Sequence, residues 1–143
     1  MNEYKKIGFA VVGCGHIGKR HIAEIKANPN ALLLAVCDIK NKNEFEDFGV
    51  SFFGSLDELL SSNINIDVIN ICTPNGLHTT QSLQALNHCN VLVEKPIALS
   101  VDDANSLIQK EKETGYQLFC VMQNRYSPPA KWLKSLIENN AFG

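Results

Sequence analysis

No stretch of the sequence comes near the roughly 20 consecutive apolar residues that a membrane-spanning helix needs. The opening residues, MNEYKKIGFAVVG, hold only a short apolar run before glycines and charges interrupt it, which argues against a signal peptide as well. The expectation is a cytoplasmic protein with no membrane partner. Positive charge is in no excess either: 13 Lys and Arg stand against 15 Asp and Glu, for a net charge of -2. Nucleic-acid binding rests on clustered cations that displace phosphate counterions, so no nucleic-acid partner is expected. Cys-x-x-Cys pairs are also missing. The five cysteines, Cys14, Cys37, Cys72, Cys89 and Cys120, are odd in number, scattered and mostly set in apolar runs. They read as reduced core residues rather than a disulfide framework or a zinc site, and no metal is expected. Of the five, only Cys14 lies in a glycine-rich loop where an exposed thiol is expected.

What is present is an ordinary globular composition, 45% hydrophobic and 20% charged over 143 residues. A chain of this length makes one domain and buries roughly two thirds of its unfolded surface. Short apolar runs alternate with stretches of helical spacing. The runs are at 7–12, 31–38, 51–54, 67–72, 90–95 and 117–122, and most are nearly unbroken, as in strands covered on both faces of a parallel sheet. Helices are expected at 16–27, 77–89, 101–112 and from the prolines at 128 and 129 to about 140, with a turn or two of helix in the crossover at 40–49. Ser100 with Asp103, and Ser127 ahead of the prolines, are the expected caps. Val101, Ala104, Leu107 and Ile108 form one apolar stripe, Leu77, Leu83, Leu86 and Cys89 another, and Trp132, Leu133, Leu136 and Ile137 a third. Strand then helix, repeated, predicts an α/β fold: a doubly wound, mostly parallel six-stranded sheet between two helical layers, with no linker dividing residues 1–143.

Three glycines fall within VVGCGHIGKR. Gly13, Gly15 and Gly18 make G-x-G-x-x-G after an expected strand and at the start of an expected helix, and Asp38 follows Gly18 by 20 residues at the end of the second strand. That context marks a Rossmann dinucleotide site. Gly13 permits the turn, Gly15 keeps a Cβ away from the pyrophosphate, Gly18 brings helix close to strand, and the helix N-terminus attracts the phosphates. Asp38 can accept from ribose hydroxyls and would repel a 2'-phosphate, so NAD is expected over NADP, with Lys40 partly offsetting that repulsion. His16, Ile17 and Ile39 are the neighbouring cofactor-side candidates.

A second constellation, CTPNGLHTT, follows the fourth strand, where strand order reverses and ligands settle. Thr73, Pro74 and Asn75 shape that loop, and His78 lies in the next helix's first turn, where a histidine ordinarily caps or is solvated. The third is VEKPIALS. Glu94 and Lys95 are adjacent, so in extended chain they face opposite sides and do not pair. Lys95 is the residue placed to reach the crevice, where partial desolvation beside a cationic nicotinamide would lower its pKa and suit proton transfer. Pro96 restricts its backbone and admits a cis peptide. His21 and His88 carry no assigned role.

In this order, GCGHIGKRH, TPNGLHTTQSLQAL and VEKPIALS resemble the NAD(P)-binding half of the glucose-fructose oxidoreductase, inositol dehydrogenase and rhizopine catabolism (Gfo/Idh/MocA) family, across essentially the whole chain. The resemblance implies that Lys95 is catalytic, near the nicotinamide and the reacting carbon, and that Thr73, Pro74, Asn75, His78 and Glu94 belong to the cofactor site. MQNRYSPP resembles the branch that oxidises nucleotide-linked amino sugars or their uronic acids at the 3-hydroxyl. It implies Gln123, Asn124 and Arg125 at the nicotinamide end, with Arg125 available to a carboxylate, a phosphate or the fold itself. Members of the family are about twice this long. Their second, α+β half covers the nicotinamide, carries a partner acid or base and builds a homo-oligomer, and it is absent from these residues. The implied function is the NAD domain of a sugar dehydrogenase, inactive by itself; the alternative is a non-catalytic dinucleotide-binding or sensing module.

Overall fold

The computed structural model describes residues 5–40, 43 and 47–141. Nearly unbroken apolar runs become strands because a sheet clothed on both faces lets both sets of alternating side chains leave water. Among the described residues these are β1 (Ile7–Val12), β2 (Ala31–Cys37), β3 (Ser51–Phe53), β4 (Val68–Ile71), β5 (Asn90–Val93) and β6 (Leu118–Cys120). They form one sheet in the order β3-β2-β1-β4-β5-β6, with every neighbouring pair parallel. The chain winds outward from β1 to β3, crosses back, and winds outward again from β4 to β6. This is the doubly wound sheet expected; β1 matches its apolar run and the other five strands are a residue or more shorter than theirs. Val12 of β1 lies beside Cys37 on one side and Ile71 on the other, so three strand ends open at one level where the order reverses.

One face is covered by α1 (His16–Ala27), whose Ile22 and Ile25 pack on Val11, Leu33 and Val36. The other carries α2 (Leu56–Leu60), α3 (His78–Ala85) and α4 (Val101–Thr114). Leu56, Leu59, Ala85 and Leu107 pack there on the alternate strand residues, among them Ala10, Val12, Ile69, Ile71 and Val93. Helix α2 is not among the expected elements, because five residues are too few for a periodic stripe. Its signal is local: Ser55 Oγ accepts from Glu58 N at 3.2 Å, and the Glu58 carboxylate accepts from Gly54 N at 2.9 Å, close to a capping box.

Helix α4 begins as expected, with Ser100 Oγ accepting from Asp103 N at 3.0 Å and donating to the Asp103 carboxylate at 2.8 Å. Replacing Ser100 by alanine is expected to lower the unfolding free energy by about 1 kcal/mol, read from urea denaturation. Of the expected stripe only Leu107 is buried. Val101 and Ile108 are exposed because α4 lies toward the β6 edge, where little sheet remains to cover. The helix expected at 77–89 is a 3-10 turn (Asn75–Leu77) followed by the shorter α3, which leaves Leu77 exposed. The crossover helix expected within 40–49 falls largely outside the described residues.

Helix α5 (Pro128–Glu138) starts at Ser127, whose Oγ accepts from Ala130 N at 3.4 Å. Its apolar stripe is not packed as a core face: Trp132, Leu133 and Ile137 are 65%, 48% and 61% exposed. The sheet face beneath α1 is likewise open toward β5 and β6, leaving a cleft of about 460 Å³ with Phe9, Leu92 and Val121 in its walls. No described helix is long and apolar enough to cross a membrane.

Candidate functional site

Strand β1 passes to α1 through Gly13, Cys14 and Gly15. Gly13 N donates to Cys37 O at 2.8 Å, and the backbone then turns at a φ of 90°, which favours a residue without a Cβ. A Cβ there would also lie 2.8 Å from the Cys72 carbonyl. Gly18 faces back onto the turn, and a Cβ on it would lie 1.9 Å from Gly13 O. At Gly15 the situation is reversed: an added Cβ meets nothing within 4 Å, because that position faces open space. Gly15 is also the N-cap of α1, with no side chain bonding the first N–H groups and no acidic residue in the first turn. Unpaired donors and the positive end of the helix dipole, set over free volume, make a seat for an anion.

Asp38 stands just beyond β2 and is pinned to this loop. Its Oδ2 accepts from Cys14 N at 2.8 Å and its Oδ1 from Lys40 N at 2.9 Å, which leaves acceptor capacity on both oxygens. A cavity of about 480 Å³ runs past Gly13, Gly15, His16, Ile17, Asp38, Ile39, Thr73 and Pro74, with Ile39 94% exposed at its side. Residues and space fit a dinucleotide. One expectation is overturned here: Cys14 is not an exposed thiol. It is buried and donates from Sγ to Cys37 O at 3.6 Å, and burial, with the Asp38 charge in second place, pushes the thiol up to about 11. All five cysteines are unpaired and none is exposed, as core residues.

A smaller recess of about 160 Å³ shares Ile17, Cys72 and Thr73 with that cavity, and Asn75, His78, Glu94, Lys95 and Gln123 complete its wall. Apart from Gly18, whose part is packing, Asn124 and Arg125 are the expected site residues that line neither space. Both are exposed, in the 3-10 turn Gln123–Tyr126. The side chains of Glu94 and Lys95 do not pair, as expected, and the only bond between the two residues runs from Lys95 N to Glu94 Oε2 at 3.2 Å. Lys95 is exposed, so the desolvated setting expected for its amine is not supplied by the described residues.

Glu94, in contrast, is buried, with Oε1 accepting from His21 Nε2 at 3.1 Å. Asn70 Nδ2 donates to His21 Nδ1 at 3.0 Å, which leaves the ring proton on Nε2 for the carboxylate. Asn70 Oδ1, buried at the end of this chain of bonds, has no partner among the described residues. His21 carries no role in the sequence reading. The signal that points to it is Asn70, the one polar residue within the strand VINI, on the sheet face that α1 covers.

His78 neither caps nor is solvated. It is 1% exposed, with Nδ1 2.7 Å from Pro96 O and Nε2 2.9 Å from Thr73 O, so it joins the loop after β4 to the segment after β5. The Lys95–Pro96 peptide is cis.

Residues 7–122 match a protein family described as an oxidoreductase family with an NAD-binding Rossmann fold. The chain is 34% identical over 143 aligned residues to the glucose-6-phosphate 3-dehydrogenase of Bacillus subtilis (strain 168), covering 97% of this chain and 39% of that protein. It is 30% identical to the 2,7-anhydro-N-acetylneuraminate hydratase of Escherichia coli (strain K12), covering 96% of this chain and 37% of that one. Among solved structures, the WlbA dehydrogenase from Bordetella pertussis in complex with NADH and UDP-GlcNAcA aligns with a TM-score of 0.91 at 33% identity, over 97% of this chain and 44% of that chain. The chain therefore spans about two fifths of the length of the relatives it matches.

Proposed function

Since the chain belongs to the oxidoreductase family with an NAD-binding Rossmann fold, we propose that its residues form the cofactor domain of a dehydrogenase acting on a sugar hydroxyl. The observation that carries this reading is continuity. The glycine-loop cavity and the recess holding Lys95 share Ile17, Cys72 and Thr73, so one extended ligand can reach from Asp38 to Lys95. In this arrangement the N-terminus of α1 receives the phosphates beside Gly15, and Asp38 accepts from ribose hydroxyls while its bond to Cys14 N holds the loop in place. Ile39 offers an apolar surface to the base. Thr73, Pro74, Asn75 and Gln123 wall the nicotinamide end. The bound nicotinamide supplies the hydride acceptor. Lys95 is the group at that end able to hold the proton of a hydroxyl as it is oxidised.

The substrate in this reading is a nucleotide-linked amino sugar or uronic acid oxidised at the 3-position. Support comes from Gln123, Asn124 and Arg125 just after β6, with a guanidinium suited to an anionic sugar, and from the UDP-GlcNAcA named for the WlbA structure. Residues 1–143 act as a single cofactor domain. The sugar's other contacts, the partner acid or base and the interface of a homo-oligomer belong to a second, α+β domain.

Isothermal titration tests the cofactor reading directly. NAD is expected to bind saturably, and NADP to bind about tenfold more weakly or worse, because its 2'-phosphate meets the Asp38 carboxylate. Lys95→Ala is expected to leave the NAD affinity within about twofold, since a proton-holding residue contributes to turnover and not to cofactor binding. No NAD binding by the chain would overturn the reading.

A further inference from the structure

His78 is almost fully buried, and both of its ring nitrogens face backbone carbonyl oxygens, Pro96 O at 2.7 Å from Nδ1 and Thr73 O at 2.9 Å from Nε2. A carbonyl oxygen only accepts, so each contact at this distance calls for a hydrogen on the nitrogen. A neutral imidazole carries one. In either neutral tautomer, one nitrogen lone pair would point at an oxygen lone pair at hydrogen-bonding distance. Turning the ring over gives no relief, because C–H groups would then face the oxygens well inside the about 3.3–3.6 Å that such contacts take. We infer that His78 is held as the imidazolium cation, donating to both carbonyls at once, and that this charged ring is a positioning residue that ties the loop after β4 to the segment carrying Lys95.

Burial opposes a cation, and the surroundings answer that cost. Both bonds are charge-assisted, the strongest class available to a ring nitrogen. The buried Glu94 carboxylate lines the same recess. The other titratable groups on that wall are Cys72, whose thiol burial pushes up to about 12 so that it stays neutral, and Lys95, which is exposed. Helix α3 has no other ionisable side chain. On α4, which packs against α3, Lys110 and Glu113 lie beside Leu83, farther along the helix. His21 is bonded to Glu94 from the α1 side. Thr73, Glu94 and Lys95 all border the recess, so a ring that grips both loops sets its width whether or not a cofactor is bound.

The test uses the chain alone, without cofactor, so its failure is distinct from a failure to bind NAD. Long-range proton–nitrogen correlation spectra of the uniformly ¹⁵N-labelled protein near neutral pH are expected to place both His78 nitrogens in the protonated range. A His78 nitrogen in the unprotonated range overturns the charge assignment, and this wild-type spectrum decides it whether or not any variant folds. As pH is raised until His78 loses a proton, the backbone amide signals of Thr73 and Lys95 are expected to move with the same midpoint. In His78→Gln that component disappears, and whatever movement His21 causes through Glu94 is retained. Amide signals that ignore the His78 midpoint overturn the positioning role.

Discussion

Gly18→Ala is expected to cost more than about 3 kcal/mol of stability, at the upper end of what overpacking produces. Its Cβ would lie 1.9 Å from Gly13 O, and the obstacle is main chain rather than the tip of a movable side chain. Relief requires α1 to back away from β1, which also pulls Ile22 and Ile25 off the sheet. The molecules that still fold would present the first turn of α1 in the wrong place, so NAD binding is expected to vanish with the stability. Gly15→Ala is the matched control. Its Cβ meets nothing within 4 Å among the described residues, so unfolding by urea is expected to shift by less than about 1 kcal/mol. NAD affinity is nevertheless expected to fall at least about a hundredfold, because the methyl occupies the approach of the pyrophosphate. A Gly18→Ala protein with wild-type unfolding, or a Gly15→Ala protein with wild-type affinity, would contradict these assignments.

Asp38→Ala is expected to weaken NAD about a hundredfold, the scale of losing two hydrogen bonds to a charged acceptor. NADP is expected to lose less, since the repulsion of its 2'-phosphate leaves with the carboxylate. Some loss is common to both cofactors, because the side chain also holds Cys14 N and Lys40 N and the loop slackens without it. Asp38→Asn separates the two roles. Its amide oxygen can still accept from Cys14 N while the bond from Lys40 N is given up with the charge, and titration is expected to show the NAD preference reduced with less common loss than in Asp38→Ala. Equal losses of NAD and NADP in Asp38→Ala would remove the carboxylate from cofactor choice.

How much of this was legible in advance depended on the range of the interaction. The parallel sheet was visible because a strand buried on both faces needs an apolar residue at nearly every position, as in IGFAVV and VINI. Gly13 and Gly18 were visible because backbone meeting backbone admits one residue type. Helix α2 was not, since periodicity needs more than five residues, although Ser55 and Glu58 announced its start. A glycine loop suggests openness at Cys14, whereas its side chain turns inward to the Cys37 carbonyl. Local sequence carries no sign of the role of His21, whose partners, Asn70 and Glu94, are 49 and 73 residues away. The stripe on α5 is apolar in sequence and unpacked in the structure, since amphipathic spacing reports which side chains seek cover and not whether cover is present.

Because β1, β2, β4 and β5 end side by side, a ligand laid across their tips is held by four strands that are far apart along the chain. No short fragment contains the whole grip, and none would keep it after the strands separate. Occupancy is therefore a load shared by the entire sheet. At a hundredfold excess over its dissociation constant such a ligand adds about 2.7 kcal/mol to global unfolding, and the protection falls on the slowest-exchanging amides of β1 rather than on the loops that touch it.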